Sequence, residues 1–445
     1  MSSKTKRALT VAGVVVMTGG LLVGCGSSSS STSTGSTNTT SNSSGGSSAG
    51  KKVTITWAIG SITHDNLNQQ LVAGFEKAHP NITVKIQPEA SNTDTTRQQL
   101  TTAIGAGATT PDVYLGDVVW PAQFGSNNLA QPLNKLFPQS FWNRFSPGLV
   151  QGATYNNNIY AAPFFVDTAF LFYRKDLLKK AGLPVPTTWE QLQSDAQTLQ
   201  KKNLVKYGFI WQGDSYEGLT CDFTEYLADA GGQVLNSSGQ PVLSSAAGNK
   251  AVSFMRSLIT SGVTPNAVTT DQENQSMNLF EQGQVAFLRN WSYAWTDSQS
   301  AAQSKVVGKV GVVVLPTFAG ESKHYSSVGG WDLYVNPHSK NLQADETFID
   351  WLTGPEAQKI LVEHGELPTN AAVAKEASSI GKSPIFGLLP QVSYISRPSQ
   401  SPNYPQLSQA IYSNINAALA GSASVSDALT KADSQMKSSS SNTGL

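Results

Sequence analysis

The chain has 445 residues, with 30 basic and 30 acidic side chains, so its formal net charge is zero. Only 13% of residues are charged and no basic block stands out, which argues against nucleic acid as a partner. With 39% hydrophobic residues the chain is also too apolar to stay disordered.

The N-terminus reads as a targeting segment. Lys4, Lys6 and Arg7 form a positive start, and Ala8 to Val23 is uncharged and mostly apolar, broken by Gly13, Gly19 and Gly20. That run is too short and too rich in glycine for a membrane span, and it has the order of a secretory signal. It ends in Leu22-Val23-Gly24-Cys25, which resembles the lipobox of bacterial lipoproteins. The resemblance implies a signal peptide over 1–24 and a palmitate-bearing Cys25 at the mature N-terminus, anchored to the outer side of the cell membrane. Residues 26–50 are only Gly, Ser, Thr, Asn and Ala. With Cys25 they read as a flexible tether over 25–50, reaching about 25–30 Å by random-coil scaling. Cys221 is then alone, which excludes a disulfide framework and a Cys-x-x-Cys site and suits a small buried residue.

About 395 residues follow, too many for one core, so two domains are expected. Lys52 to Ile59 alternates as a strand, and Asn66 to His79 has helical spacing and stops at Pro80. Ile82–Ile86 reads as a strand, Thr95–Ala106 as a helix and Asp112–Asp117 as a strand. The alternation predicts an α/β fold with mostly parallel, doubly wound sheets. A second body follows the same pattern. It has strands at Tyr160–Asp167, Ala169–Tyr173, Gly208–Trp211 and Val285–Leu288, and helices from Asp176, Thr188 and Phe223. Val310–Pro316 and a strand from Trp331 come next, and Ser408–Leu419 and Ser426–Met436 read as closing helices. Asp176 and Asp222 read as helix caps.

In α/β sheets ligands bind outside the carboxyl ends of strands. Asp117, Asp167, Trp211 and Trp291 fall at or just past such ends. Gly329-Gly330-Trp331 is a different signal: paired glycines allow close backbone approach, read here as a turn that feeds a strand and delivers a Trp. Aromatics with bare N–H groups beside them suit a polar ring-shaped ligand. No metal or cofactor is expected. The five His (64, 79, 324, 338 and 364) lack ligand spacing, and Gly381-Lys382-Ser383 has Glu376 where a phosphate loop needs Gly.

Longer runs carry a resemblance. They are Phe75–Pro80, Pro111–Trp120, Asp167–Leu178, Trp211–Phe223 (with Trp211-Gln212-Gly213 and Tyr216-Glu217-Gly218-Leu219), Asn290–Trp295, Gly329–Trp331, Arg397-Pro398 and Tyr404–Ser408. Over residues 51–436 the chain resembles the extracellular solute-binding proteins of bacterial sugar ABC importers. It resembles the maltose-binding type, and within it the trehalose/maltose-binding proteins.

The resemblance implies two discontinuous lobes joined by hinge strands: 51–161 with 310–365, and 162–309 with 366–436, leaving 437–445 as a disordered tail. It implies a sugar site at Arg97, Asp117, Trp120, Asp167, Tyr216, Glu217, Trp291, Tyr293, Gly329, Gly330, Trp331 and Arg397, with Asp65 or Asn66 in the loop after the first strand. Aromatic rings would cover the C–H faces of a sugar, while carboxylates and Arg bind its hydroxyls. The function implied is a monomeric, non-enzymatic receptor that closes on an α-glucose disaccharide, trehalose or maltose, and delivers it to a membrane permease. A receptor for another oligosaccharide or glucoside is the nearest alternative. A glycoside hydrolase would also place two carboxylates across a cleft, but a pair of binding lobes accounts for the whole chain. A surface adhesin would not require the aromatics at strand ends.

Overall fold

The computed structural model describes residues 52–60 and 66–441. The expected signal peptide, Cys25, the tether and Asp65 lie outside the described residues. Among the described residues no helix is long and apolar enough to cross a membrane.

In chain order the strands are β1 (Val53–Ile59), β2 (Ile82–Pro88), β3 (Val113–Asp117), the short hairpin β4 (Thr154–Tyr155) and β5 (Asn158–Ile159), β6 (Ala162–Asp167), β7 (Ala169–Arg174), β8 (Tyr207–Ile210), β9 (Val285–Trp291), β10 (Val310–Val313), β11 (His324–Ser327), β12 (Gly329–Val335), β13 (Leu367–Pro368) and β14 (Val392–Ile395). They build two main sheets. The first has the order β13-β6-β12-β3-β1-β2 and the second β10-β7-β9-β8. A small ribbon pairs β11 with β14.

Each sheet organises one lobe. Successive side chains on a strand point to opposite faces. Thus Val113 and Leu115 of β3 and Leu333 and Val335 of β12 pack into one core with Trp57, Phe75, Phe164 and Phe348. Tyr114 and Tyr334, between them in sequence, stack at 5.3 Å in a separate core on the other face. The second lobe buries Phe170, Phe172, Phe209, Phe287 and Leu288 among its helices.

The expectation of parallel strands holds for β1–β2, β1–β3 and β8–β9. β12 runs antiparallel to both β3 and β6, β13 to β6, and β7 to both β9 and β10. The cause is the discontinuity of the lobes: several of these strands carry the chain between lobes rather than following a crossover helix.

Sheet membership cuts across the expected lobe ranges for the same reason. β6, at 162–167, lies in the first sheet, although 162 was expected to open the second lobe. β10 pairs with β7 in the second sheet, although 310 was expected to reopen the first lobe. β13, at 367–368, pairs with β6 in the first sheet. The last helix, Val425–Ser441, extends into the expected tail. An unbroken apolar strand looks alike in either sheet, so hydrophobic patterning could not place β6.

The crossings are short. Only Thr168 separates β6 from β7, and only Val328 separates β11 from β12. Gly329 and Gly330 are not a turn before the strand; they open β12 and pair with Asp167 and Val166. Gly330 has φ +125°, and a Cβ there would collide with the backbone of Phe165 and Val166, so only glycine fits. The register between β12 and β6 shifts at Trp331/Asp332, a bulge that re-aims the strand beside the lobe junction.

Candidate functional site

A cavity of about 320 Å³ lies between the lobes. From the first lobe come Asp117 at the end of β3, Asp167 at the end of β6, and Gly329, Gly330 and Trp331 at the start of β12. The second lobe contributes Trp291 at the end of β9, Tyr293 just past it, and Glu217 in the first turn of the Glu217–Asp229 helix. Arg397, two residues past β14, completes this group.

The aromatic walls are braced. Trp331 meets Trp120 edge-on at 6.4 Å, and Trp120 in turn stacks on Phe124 at 5.0 Å. Trp291 lies 4.2 Å from the Arg289 guanidinium, a cation–π contact. Arg289 is itself buried and pairs with Asp222 at 2.9 Å and Glu225 at 2.6 Å. Asp222 is therefore not the expected cap but a mid-helix partner of this arginine. A Cβ on Gly329 would come within 2.9 Å of the Trp291 ring, so the missing side chain lets wall and backbone approach.

The polar groups are fixed with equal care. Asp167 Oδ1 accepts from the Ser292 N–H at 2.9 Å, from the Ser292 hydroxyl and from the Thr168 N–H at 3.0 Å. Arg397 donates to Asp117 at 2.9 Å and to Glu217 at 2.7 Å, and so joins the two lobes. Glu217 also accepts from the Tyr404 hydroxyl and, at 2.6 Å, from Ser408.

Burial dominates the electrostatics. It raises Asp167 to about 6 against the pull of its Ser292 and Thr168 donors. It raises Glu217 to about 6, with Arg397 opposing and Asp117 adding to the rise. Glu89 is pushed to about 8 by burial, opposed by a hydrogen bond from the Gly60 backbone. The Glu89 residue as a whole is only half-buried, but its Oε1 is enclosed and has no hydrogen-bond partner among the described residues.

Nine of the expected site residues meet at the cavity: Asp117, Asp167, Glu217, Trp291, Tyr293, Gly329, Gly330, Trp331 and Arg397. Four described ones do not line it. Asn66 is exposed and accepts from Gln70 at 2.8 Å. Arg97 pairs along its own helix with Asp94 at 3.3 Å. Trp120 is buried behind Trp331, and Tyr216 is buried with its ring against Gly218. Sequence reasoning missed Glu89, Thr93, Glu273, Asp297 and Glu366, which do line the cavity. Glu89 directly follows β2, so the strand-end rule that selected Asp117 would have found it. Glu273 opens a helix far along the chain and carried no signal.

The family model described as bacterial extracellular solute-binding protein matches residues 62–359. The chain belongs to that family. A probable ABC transporter-binding protein of Deinococcus radiodurans is 33% identical to this solute-binding protein over 402 residues, covering 87% of this chain and 94% of the relative. The maltose-bound structure of MalE3 from T. maritima is 34% identical with a TM-score of 0.80, covering 86% and 99% of the two chains. The mannitol-binding protein of Pseudomonas aeruginosa is 27% identical, covering 81% and 83%. The fold is thus that of a two-lobed, maltose-binding-type solute-binding protein of ABC transport, and the relatives matched are binding proteins rather than enzymes.

Proposed function

We propose that this solute-binding protein captures an α-glucose disaccharide, maltose or trehalose, between its lobes and delivers it to an ABC permease. The observation that carries the reading is the cavity itself: Trp331 from one lobe and Trp291 from the other, with Asp117, Asp167, Glu217 and Arg397 as its polar rim. Indole faces cover the C–H faces of the glucose rings, and the carboxylates accept from the hydroxyls. At about 320 Å³ the space is near the lower end of ligand pockets, about 300–1,000 Å³, and suits two rings better than a long oligosaccharide. The bound sugar favours the closed state because only there do both lobes contact it. The carboxylates serve as acceptors, Asp117 held by Arg397 and Asp167 by Ser292, and no bond in the sugar is broken. Cys25 carries the lipid anchor, and the receptor works as a monomer.

The similarity to maltose-bound MalE3 supports this ligand class. The similarity to a mannitol-binding protein favours a second reading, capture of a hexitol through the same carboxylates. Calorimetric titration with maltose, trehalose, sucrose, cellobiose, xylobiose and mannitol separates the two. Stoichiometric binding of maltose or trehalose is the expected result. Binding of mannitol alone, or sugar hydrolysis without stoichiometric binding, would refute the disaccharide reading.

A further inference from the structure

The Glu217–Asp229 helix starts in the second lobe at the edge of the cleft, and its N-cap residue, Tyr216, gives it no side-chain cap. The Glu217 N–H donates instead to Asp94 Oδ2 at 3.1 Å. Asp94 lies in the first turn of the Thr93–Gly105 helix, between β2 and β3 of the first lobe. Tyr412, on the second-lobe helix Tyr404–Leu419, stands close enough that the Asp94 carboxylate adds to burial in raising its phenol. Arg97 holds the other carboxylate oxygen at 3.3 Å. Asp94 is not on the cavity wall, yet the turn that it closes places Glu217 and Gly218 there. A separate contact joins the lobes elsewhere: Thr296 Oγ1 of the second lobe donates to the His364 carbonyl of the first at 2.7 Å.

We propose that Asp94 is a positioning residue for ligand capture: its carboxylate, on the first lobe, caps the Glu217–Asp229 helix across the cleft and latches the lobes together without touching the sugar. The inference rests on the two-lobe capture reading. The physics is that of a helix N-terminus, where exposed N–H groups and a partial positive charge favour an anionic acceptor. In the helices capped by Asn92, Thr188, Ser245 and Asn370 the acceptor comes from the preceding residue. Here it comes from the opposite lobe, so opening the cleft returns the helix end to water. A group that is satisfied only when the lobes meet shifts the population toward closure, and the apparent sugar affinity rises with that population.

The test compares full-length wild type with Asp94→Ala and Asp94→Asn. Ligand-free shape is read by small-angle scattering and maltose release by stopped flow. Asp94→Ala is expected to give a more extended ligand-free profile, faster release and an affinity about fivefold weaker, the factor for loss of one cap. Asp94→Asn keeps an acceptor oxygen and should stay within about twofold of wild type by the same reasoning. If Asp94→Ala shares the wild-type profile and release rate, the latch is overturned. It is equally overturned if affinity falls while the ligand-free profile and release stay unchanged, or if Asp94→Asn is as impaired as Asp94→Ala. If wild type binds none of the sugars, the capture reading fails, and the ligand-free profiles alone then decide the latch.

Discussion

Replacing Arg397 with Ala tests the electrostatic account of the cleft most directly. Arg397 is only 5% exposed. It donates to Asp117 at 2.9 and 3.3 Å, to Glu217 at 2.7 Å and to the Val328 carbonyl at 3.1 Å. Arg397→Ala leaves two buried carboxylates without their counter-charge, a change that costs about 3–5 kcal/mol. The deficit must also depend on pH. Glu217 already stands at about 6, against an ordinary 4.5, because burial outweighs the attraction of Arg397. Without the guanidinium, the Glu217 carboxyl holds its proton to still higher pH. A folded-state pKa above the unfolded value gives stability that is present at low pH and is lost as pH rises through the folded pKa. The variant is therefore expected to be nearest wild type at pH 5 and furthest from it at pH 8. Each further unit of rise is worth about 1.4 kcal/mol. Urea unfolding followed by tryptophan fluorescence at both pH values measures this. A deficit under about 1 kcal/mol at pH 8, or one equal at both pH values, would refute the reasoning, since breaking a buried pair predicts more.

Three further outcomes follow from the site. Trp331→Ala should remove about 80 Å² of sugar contact, roughly half of what an aromatic side chain buries. At about 25 cal/mol per Å² that is about 2 kcal/mol, or roughly 30-fold in Kd, with melting little changed; unchanged affinity in calorimetry would assign Trp331 to packing alone. Asp167 titrates near 6 in the free protein, and accepting sugar hydroxyls favours its ionised form. Binding at pH 6 should therefore release a proton, seen as an enthalpy that varies with buffer, and affinity should fall as pH drops from 7 to 5; a buffer-independent enthalpy contradicts this. Glu89, raised to about 8 by burial, destabilises the fold increasingly as pH rises from 4.5 toward 8, because the folded carboxyl keeps its proton longer than the unfolded one. Glu89→Gln should accordingly melt higher than wild type by a margin that widens up to pH 8, and a margin that is flat with pH would show that the carboxyl is solvated.

Much of the site was legible because its residues sit where a general rule puts them. Asp117 and Asp167 end strands, Trp291 ends another, and the paired Gly329 and Gly330 signalled a backbone that nothing larger could follow. Arg97 and Tyr216 do not line the cavity, for a physical reason. Both lie within a few residues of groups on the cleft, but helix geometry turned one toward Asp94 and the other beneath Gly218. Glu273 and Glu366 come from parts of the chain that meet the cleft only after two lobes have folded, and no local pattern records that. The lobe boundaries were obscured likewise. β6 and β7 are two apolar strands separated by Thr168 alone, and which sheet each joins is decided by partners far away in sequence.

The place of β12 also sets an order in time. This strand fills the gap between β6 and β3, yet it is synthesised only after β7, β8, β9 and β10 have been made for the other lobe. Until Gly329–Val335 emerges from the ribosome, β3 has one open edge and β6, whose other neighbour β13 comes later still, has two, and such open edges invite mispairing. The second lobe waits longer still, for the helices Tyr404–Leu419 and Val425–Ser441 that complete its core. Contacts this distant in sequence slow folding. A nascent chain of this design cannot complete its first sheet before β12 and β13 are made, nor its second lobe before the last helix.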